Sequence, residues 1–177
     1  MTVDRVTSAV GTQTIDASIR ALGSFTTIDY ADLFTLATEA EAGPQWWARA
    51  MFGDAPDLGE LFIWRVLLGL RLRLRPSPET VAGWRIGGRG ENWIRLETDS
   101  WLLTANLVVV TAPGRVSLAT FLRYDHGVAQ RAWPPLSAVH RHLVPGVLRA
   151  AESRVAVGPR PATPPHPADA PPGGTGL

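Results

Sequence analysis

Four segments between Val81 and Asp125 constrain this chain more than any other feature. They are "VAGWRIGG", "NWIRLETDS", "WLLTANLVVVTA" and "RVSLATFLRYD", each rich in β-branched and aromatic residues. The connections are short. "GRGE" and the Pro113-Gly114 pair are turn formers, and Asp99-Ser100-Trp101 is a strand junction with Asp99 as its turn residue. Connections this short leave no room for a crossover, so successive strands must lie antiparallel. The sequence therefore predicts a four-stranded meander. Along its last strand Val116, Leu118, Thr120, Leu122 and Tyr124 share one face. Ser117, Ala119, Phe121 and Arg123 share the other.

An apolar sheet face needs a cover. A helix predicted from Pro134 to Arg154 supplies one. Advancing about 100° per residue places Leu136, Val139, His140, Leu143, Val147, Ala150 and Ala151 within about 60° of one direction. Pro145 lies inside this helix, removes the bond to the Arg141 carbonyl, and predicts a kink.

Upstream, "DYADLFTLA" (Asp29 to Ala37) reads as a strand with Tyr30, Asp32, Phe34 and Leu36 on one face. Gly43 and Pro44 open a short helix whose apolar side carries Trp46, Trp47, Ala50 and Met51. Asp57 and Glu60 form a capping box before a second helix through "LFIWRVLLGL". In "GLRLRLRP" (Gly69 to Pro76) Arg71, Arg73 and Arg75 alternate with leucines. On a helix these arginines scatter; on a strand they share one side, so the stretch reads as a half-buried strand with a charged solvent face.

The 177 residues suffice for one domain with a core. Residues 1–24 are small and polar and predict a poorly ordered segment, with a short helix at Asp16 to Leu22. Residues 25–155 form the ordered domain. Residues 156–177, with repeated proline and glycine and with His166, predict a disordered tail. Net charge is only +1, too little for a strong phosphate-binding surface, so no nucleic-acid partner is expected. Because every basic residue is arginine, the alternating arginines carry less information than they would in a lysine-containing chain. The absence of cysteine excludes disulfides and thiolate chemistry. Leu58 to Leu70 is too short to span a bilayer and contains Glu60 and Arg65, and no start with a signal-peptide pattern is present. No stable membrane insertion and a cytoplasmic location are expected. "GGRGEN" opens no helix and lacks the lysine of a phosphate loop. The serine of "GRVSLA" lies on a strand, not at a nucleophile elbow. His140 and His142 leave a helix in different directions, so no metal site is expected.

His140 is the leading candidate for chemistry. It interrupts an apolar helix stripe, so its imidazole faces the sheet, either as a general acid or base or as a core histidine bonded to a strand. Asp32 shares the face of Phe34 and Leu36, and a carboxylate there must be paired or neutral. Arg85, Arg95 and Arg123 come from three strands of the meander, and one of them could pair with Asp32; the preferred reading is that Arg85, Arg95 and Glu97 instead form a cross-strand ladder on the outside. Tyr124 follows the apolar side of its strand and offers a phenol to a ligand carbonyl. Asp125 and His126 read as turn and cap residues.

The order of elements, with "DYADLF", "GWRI", "LETDSWLLTANLVV", "TFLRYD" and "VHRHLVPGVL", resembles a bacterial family of unknown function within the START and polyketide-cyclase-like (SRPBCC) superfamily. The resemblance runs from about Tyr30 to Ser153. It implies an α+β helix-grip fold: a curved antiparallel sheet wrapped around a long C-terminal helix, with two short helices after the first strand. It also implies a cavity for a small hydrophobic molecule. Among the seven tryptophans, Trp47, Trp84 and Trp101 are expected in its wall, with Phe34 and Arg123. His140, Asp32 and Tyr124 are the expected catalytic set. The implied activity is a cofactor-independent cyclase, dehydratase or isomerase of secondary metabolism; the alternative is a carrier or sensor of a hydrophobic metabolite.

Overall fold

A computed structural model describes residues 5–53, 71–73 and 77–158. It is an α+β structure with a seven-stranded antiparallel sheet and a long C-terminal helix. In chain order the elements are β1 (Val6–Val10), α1 (Ala17–Arg20), β2 (Tyr30–Ala37), α2 (Pro44–Phe52), β3 (Thr80–Val81), β4 (Trp84–Arg89), β5 (Trp93–Asp99), β6 (Leu103–Ala112), β7 (Arg115–Tyr124) and α3 (Gly127–Val157). The sheet order is β1-β2-β7-β6-β5-β4-β3.

The expected meander is β4 to β7, each strand paired antiparallel with the next. Gly114 has φ +74° in the two-residue connection between β6 and β7, a conformation that glycine adopts without strain. β2 does not pair with its neighbours in the meander's sequence order. It inserts against β7, in a register that sets Tyr30 opposite Leu122 and Asp32 opposite Thr120.

Strand alternation sorts the side chains into two cores. On one face Phe34, Leu36, Ile94, Leu96, Leu107 and Leu118 pack against Trp47 and Met51 of α2 and Trp133, Val144 and Leu148 of α3. On the other face Val108, Ala119 and Phe121 are covered by Ile15, with Ile19, Leu22, Phe25 and Ile28 around them. β6 is thus buried on both sides, which accounts for its unbroken "LVVV" run.

That second layer corrects one expectation. Residues 1–24 were expected to be poorly ordered apart from a short helix at Asp16 to Leu22; α1 falls within that helix, but residues 5–24 also form β1 and cover the outer face. β1 pairs along its whole length with β2, so the strand read as first is second. The segment has too few apolar residues to fold alone, but Ile15, Ile19 and Leu22 need only a ready-made apolar sheet to dock on. The expected helix after Asp57 and most of the 70–76 strand lie outside the described residues. The described residues of that stretch, 71–73, belong to no strand of the sheet, although Leu72 is buried while Arg71 and Arg73 are exposed, as the alternation predicts.

The terminal helix also differs. It starts at Gly127, seven residues before the expected Pro134, and runs unbroken through Pro145. Its buried residues are Ala129, Trp133, Ser137, Val144, Leu148, Ala151 and Val155. This stripe is turned about 80° from the one centred on Leu136. Leu143 and Val139 are consequently 45% and 51% exposed, while of the expected stripe Ala151 is buried and Leu136, His140 and Val147 are half-buried at the edge of the observed one. Aliphatic size drew the expected direction; the sheet surface instead accepts Trp133, a serine and an alanine where the helix lies close.

Two truncations separate these directions. Leu148→Ala removes a fully buried side chain and is expected to cost about 2–5 kcal/mol in urea unfolding. Leu143→Ala is expected to stay within about 0.5 kcal/mol of the parent.

Candidate functional site

The candidate site is built at the seam between the sheet and α3. The two-residue period of β2 puts Tyr30 and Asp32 side by side on the helix-facing surface. The β2–β7 register brings Thr120 directly opposite Asp32. α3 then lowers His140 onto this group. Its Nε2 lies 3.1 Å from Asp32 Oδ2 and 3.2 Å from Thr120 Oγ1. The Tyr30 phenol donates to the same Asp32 Oδ2 at 2.7 Å. Trp133, two turns before His140, meets Tyr30 edge-to-face at 5.2 Å and lies 5.9 Å from the imidazole.

Burial gives this cluster its character. Asp32 is 0% exposed, whereas the His140 side chain keeps 22% of its surface. Nε2 is within hydrogen-bond distance of the Thr120 hydroxyl, with roles set by the tautomer, and within ion-pair distance of Asp32; with the proton on Nε2, the nitrogen donates toward the carboxylate. Nδ1 is then the basic nitrogen of neutral His140. When Nδ1 takes a proton, Asp32 lies in contact with the resulting imidazolium and offsets its charge. Asp32 Oδ1 and Trp133 Nε1 are buried without a hydrogen-bond partner among the described residues.

Tyr30 is pushed above the ordinary tyrosine range, first by burial, then by the Asp32 charge and by its hydrogen bond to Asp32; Arg141 opposes this. The phenol therefore remains a donor to Asp32 Oδ2, the oxygen that His140 Nε2 also approaches. Tyr124 is also pushed up, by burial and then by Asp29.

Two of the three expected catalytic residues, Asp32 and His140, thus meet. Tyr124 does not join them. It lies four residues beyond Thr120, about 13 Å along β7, and its backbone N–H donates to Asp29 at 2.7 Å. Of the expected wall residues, Trp47, Trp84 and Phe34 are in the helix-side core. Trp101 is 60% exposed beside His126, between β5 and β6. Arg123 points to the outer face, where it binds Asp125 and Thr104 and covers Phe25.

The arginine alternatives for Asp32 are decided by the same alternation. Arg85, Arg95 and Glu97 form a ladder on the outer face: Arg85 pairs with Glu97, and Arg95 Nε reaches Glu97 Oε1 at 2.7 Å. Gly87 makes room for it, because a Cβ there would run into the Glu97 carboxylate. Sequence reasoning missed Tyr30, Thr120 and Trp133 as members of the site. Tyr30 was within reach, since the two-residue period already set it beside Asp32. Thr120 depends on a pairing between distant strands, and Trp133 lies before the expected helix start.

No family model, curated protein or solved structure matches this chain.

The two tyrosines give a direct test. In the folded protein, phenolate absorbance is expected only above the ordinary pH of about 10, whereas in denaturant both titrate near it. Their contribution to stability is complete below pH ~10 and falls as pH rises further, because the unfolded chain then loses phenolic protons that the folded chain keeps. Tyr30→Phe is expected to shallow that alkaline decline in urea unfolding. At neutral pH it is expected to cost about 1–3 kcal/mol, since Asp32 loses a donor.

Proposed function

We propose that this protein binds a small, largely apolar molecule between sheet and helix in a helix-grip arrangement, and moves a proton on it with the Asp32–His140 pair. The contact of 3.1 Å between a fully buried carboxylate and a partly exposed imidazole carries this reading. A histidine needed only for packing gains little from a buried acid; a histidine that must change charge gains a counter-ion held in place beforehand.

In this reading His140 Nδ1 removes a proton from substrate and returns it at another position or to a leaving hydroxyl. Cyclisation, dehydration and isomerisation all have this form and need no cofactor. Asp32 keeps Nε2 protonated and balances the imidazolium, while Tyr30 holds the carboxylate. Phe34 and Trp133 supply an apolar surround that strengthens these charges. The unpaired Trp133 Nε1 and Asp32 Oδ1 fit a ligand bearing a hydroxyl or carbonyl in an otherwise oily frame.

The experiment is untargeted. Parent protein and His140→Gln are incubated with a metabolite extract of the source organism, and both solution and protein-bound fractions are read by mass spectrometry. The parent is expected to deplete a compound that His140→Gln binds but leaves intact, with turnover reduced at least about 100-fold. A compound bound and returned unchanged by both identifies a carrier. If neither protein retains or consumes any compound, the ligand-binding reading is wrong.

A further inference from the structure

We propose that the opposite face of the sheet carries a second binding site, for a small polyhydroxylated anion whose charge is a phosphate or a carboxylate. A groove of about 270 Å³ opens there, remote from His140 across the thickness of the sheet. That volume suits a metabolite smaller than a drug-sized ligand.

Its floor is Asn106, on the outward side of β6 and 0% exposed. Asn106 Oδ1 accepts from the Ser24 backbone N–H at 2.8 Å and from the Ser24 hydroxyl at 3.0 Å. A backbone N–H can only donate, so this contact fixes which end of the amide is oxygen. The Nδ2 end is left buried, with no acceptor among the described residues. Buried donors rarely go unmet, and a ligand oxygen is a suitable acceptor.

The rim supplies the charge. Arg71, Arg73 and Arg85 line the groove. Arg71 holds Asp99 only loosely, at 3.4 Å and largely in solvent. Arg85 shares Glu97 with Arg95. Arg73 has no ion-pair partner among the described residues. In the lining, two carboxylates, Glu97 and Asp99, therefore face three guanidiniums, an excess of one that favours an anion. Asp99, Ser24 and Thr104 offer acceptors and hydroxyls for a polyol body.

The arginines are placed by backbone, which marks this rim as built. Arg71 N–H donates to the Asp99 carbonyl and Arg73 N–H to the Gly83 carbonyl, each at 2.9 Å. Gly83 has φ +83°, and a Cβ on it would meet the Arg73 carbonyl at 2.7 Å. Only glycine permits this approach.

The test is an NMR titration of the full chain with glucose 6-phosphate and, separately, gluconate. At least one is expected to shift the Asn106 side-chain amide and Arg73 Nε–H saturably, and which one does so names the charged group. Neutral glucose, and sodium chloride at matched ionic strength, are expected to leave them in place. Arg73→Gln, a surface change that leaves folding intact, is expected to weaken binding about tenfold. Asn106→Asp is expected to abolish it. Shifts no larger than those of chloride with both anions, or unchanged affinity in Arg73→Gln, overturn the proposal.

Discussion

The pairing of β2 with β7 is the contact on which the other features depend. It joins the two ends of the domain, closes the gap between β1 and the meander, and aligns Asp32 with Thr120. A slip of one residue would turn Asp32 and Tyr30 to the outer face and send Ala31 and Leu33 toward the helix. The apolar pattern of both strands resists that slip, because Phe34, Leu36, Leu118 and Leu122 must all stay under the helices. The packing that stabilises the domain is therefore also what positions its most unusual carboxylate.

Local chemistry made most of the fold legible. Two-residue alternation and turn pairs located β2 and β4 to β7, and Pro44 marked the start of α2. The outer-face ladder of Arg85, Glu97 and Arg95 followed from the same alternation. The N-terminal layer was hidden because its stability is borrowed: Ile15 is buried in a cluster with Ala31, Val108, Ala119 and Phe121 of the sheet, which the N-terminal segment has to dock on. The helix direction was misread because residue size is a poor guide where a tryptophan fills the interface. Trp133 sits where the close-packed side begins, and Leu143 is left outside.

At the site the division is similar. Asp32 and His140 stood out individually, each a polar residue in an apolar row, and the structure sets them together. Their contact could not be read from the sequence, because the helix azimuth and the strand register are both tertiary quantities. Tyr124 and Arg123 illustrate the cost of choosing residues by type: both have suitable functional groups, and neither touches the pair. The two faces of the sheet divide the chemistry, a buried acid–imidazole pair on one and an arginine-rimmed groove on the other.

The position of β2 has a consequence for how the protein is made. Its pairing partner is synthesised about 90 residues later, and the imidazole later still. Until then the nascent strand exposes Phe34 and Leu36, and on one flank a row of open backbone groups, with only β1 able to pair beside it. The ribosome thus releases nearly the whole domain before Asp32 finds its neighbours. A premature stop anywhere in the meander leaves a sticky edge rather than a smaller version of the protein.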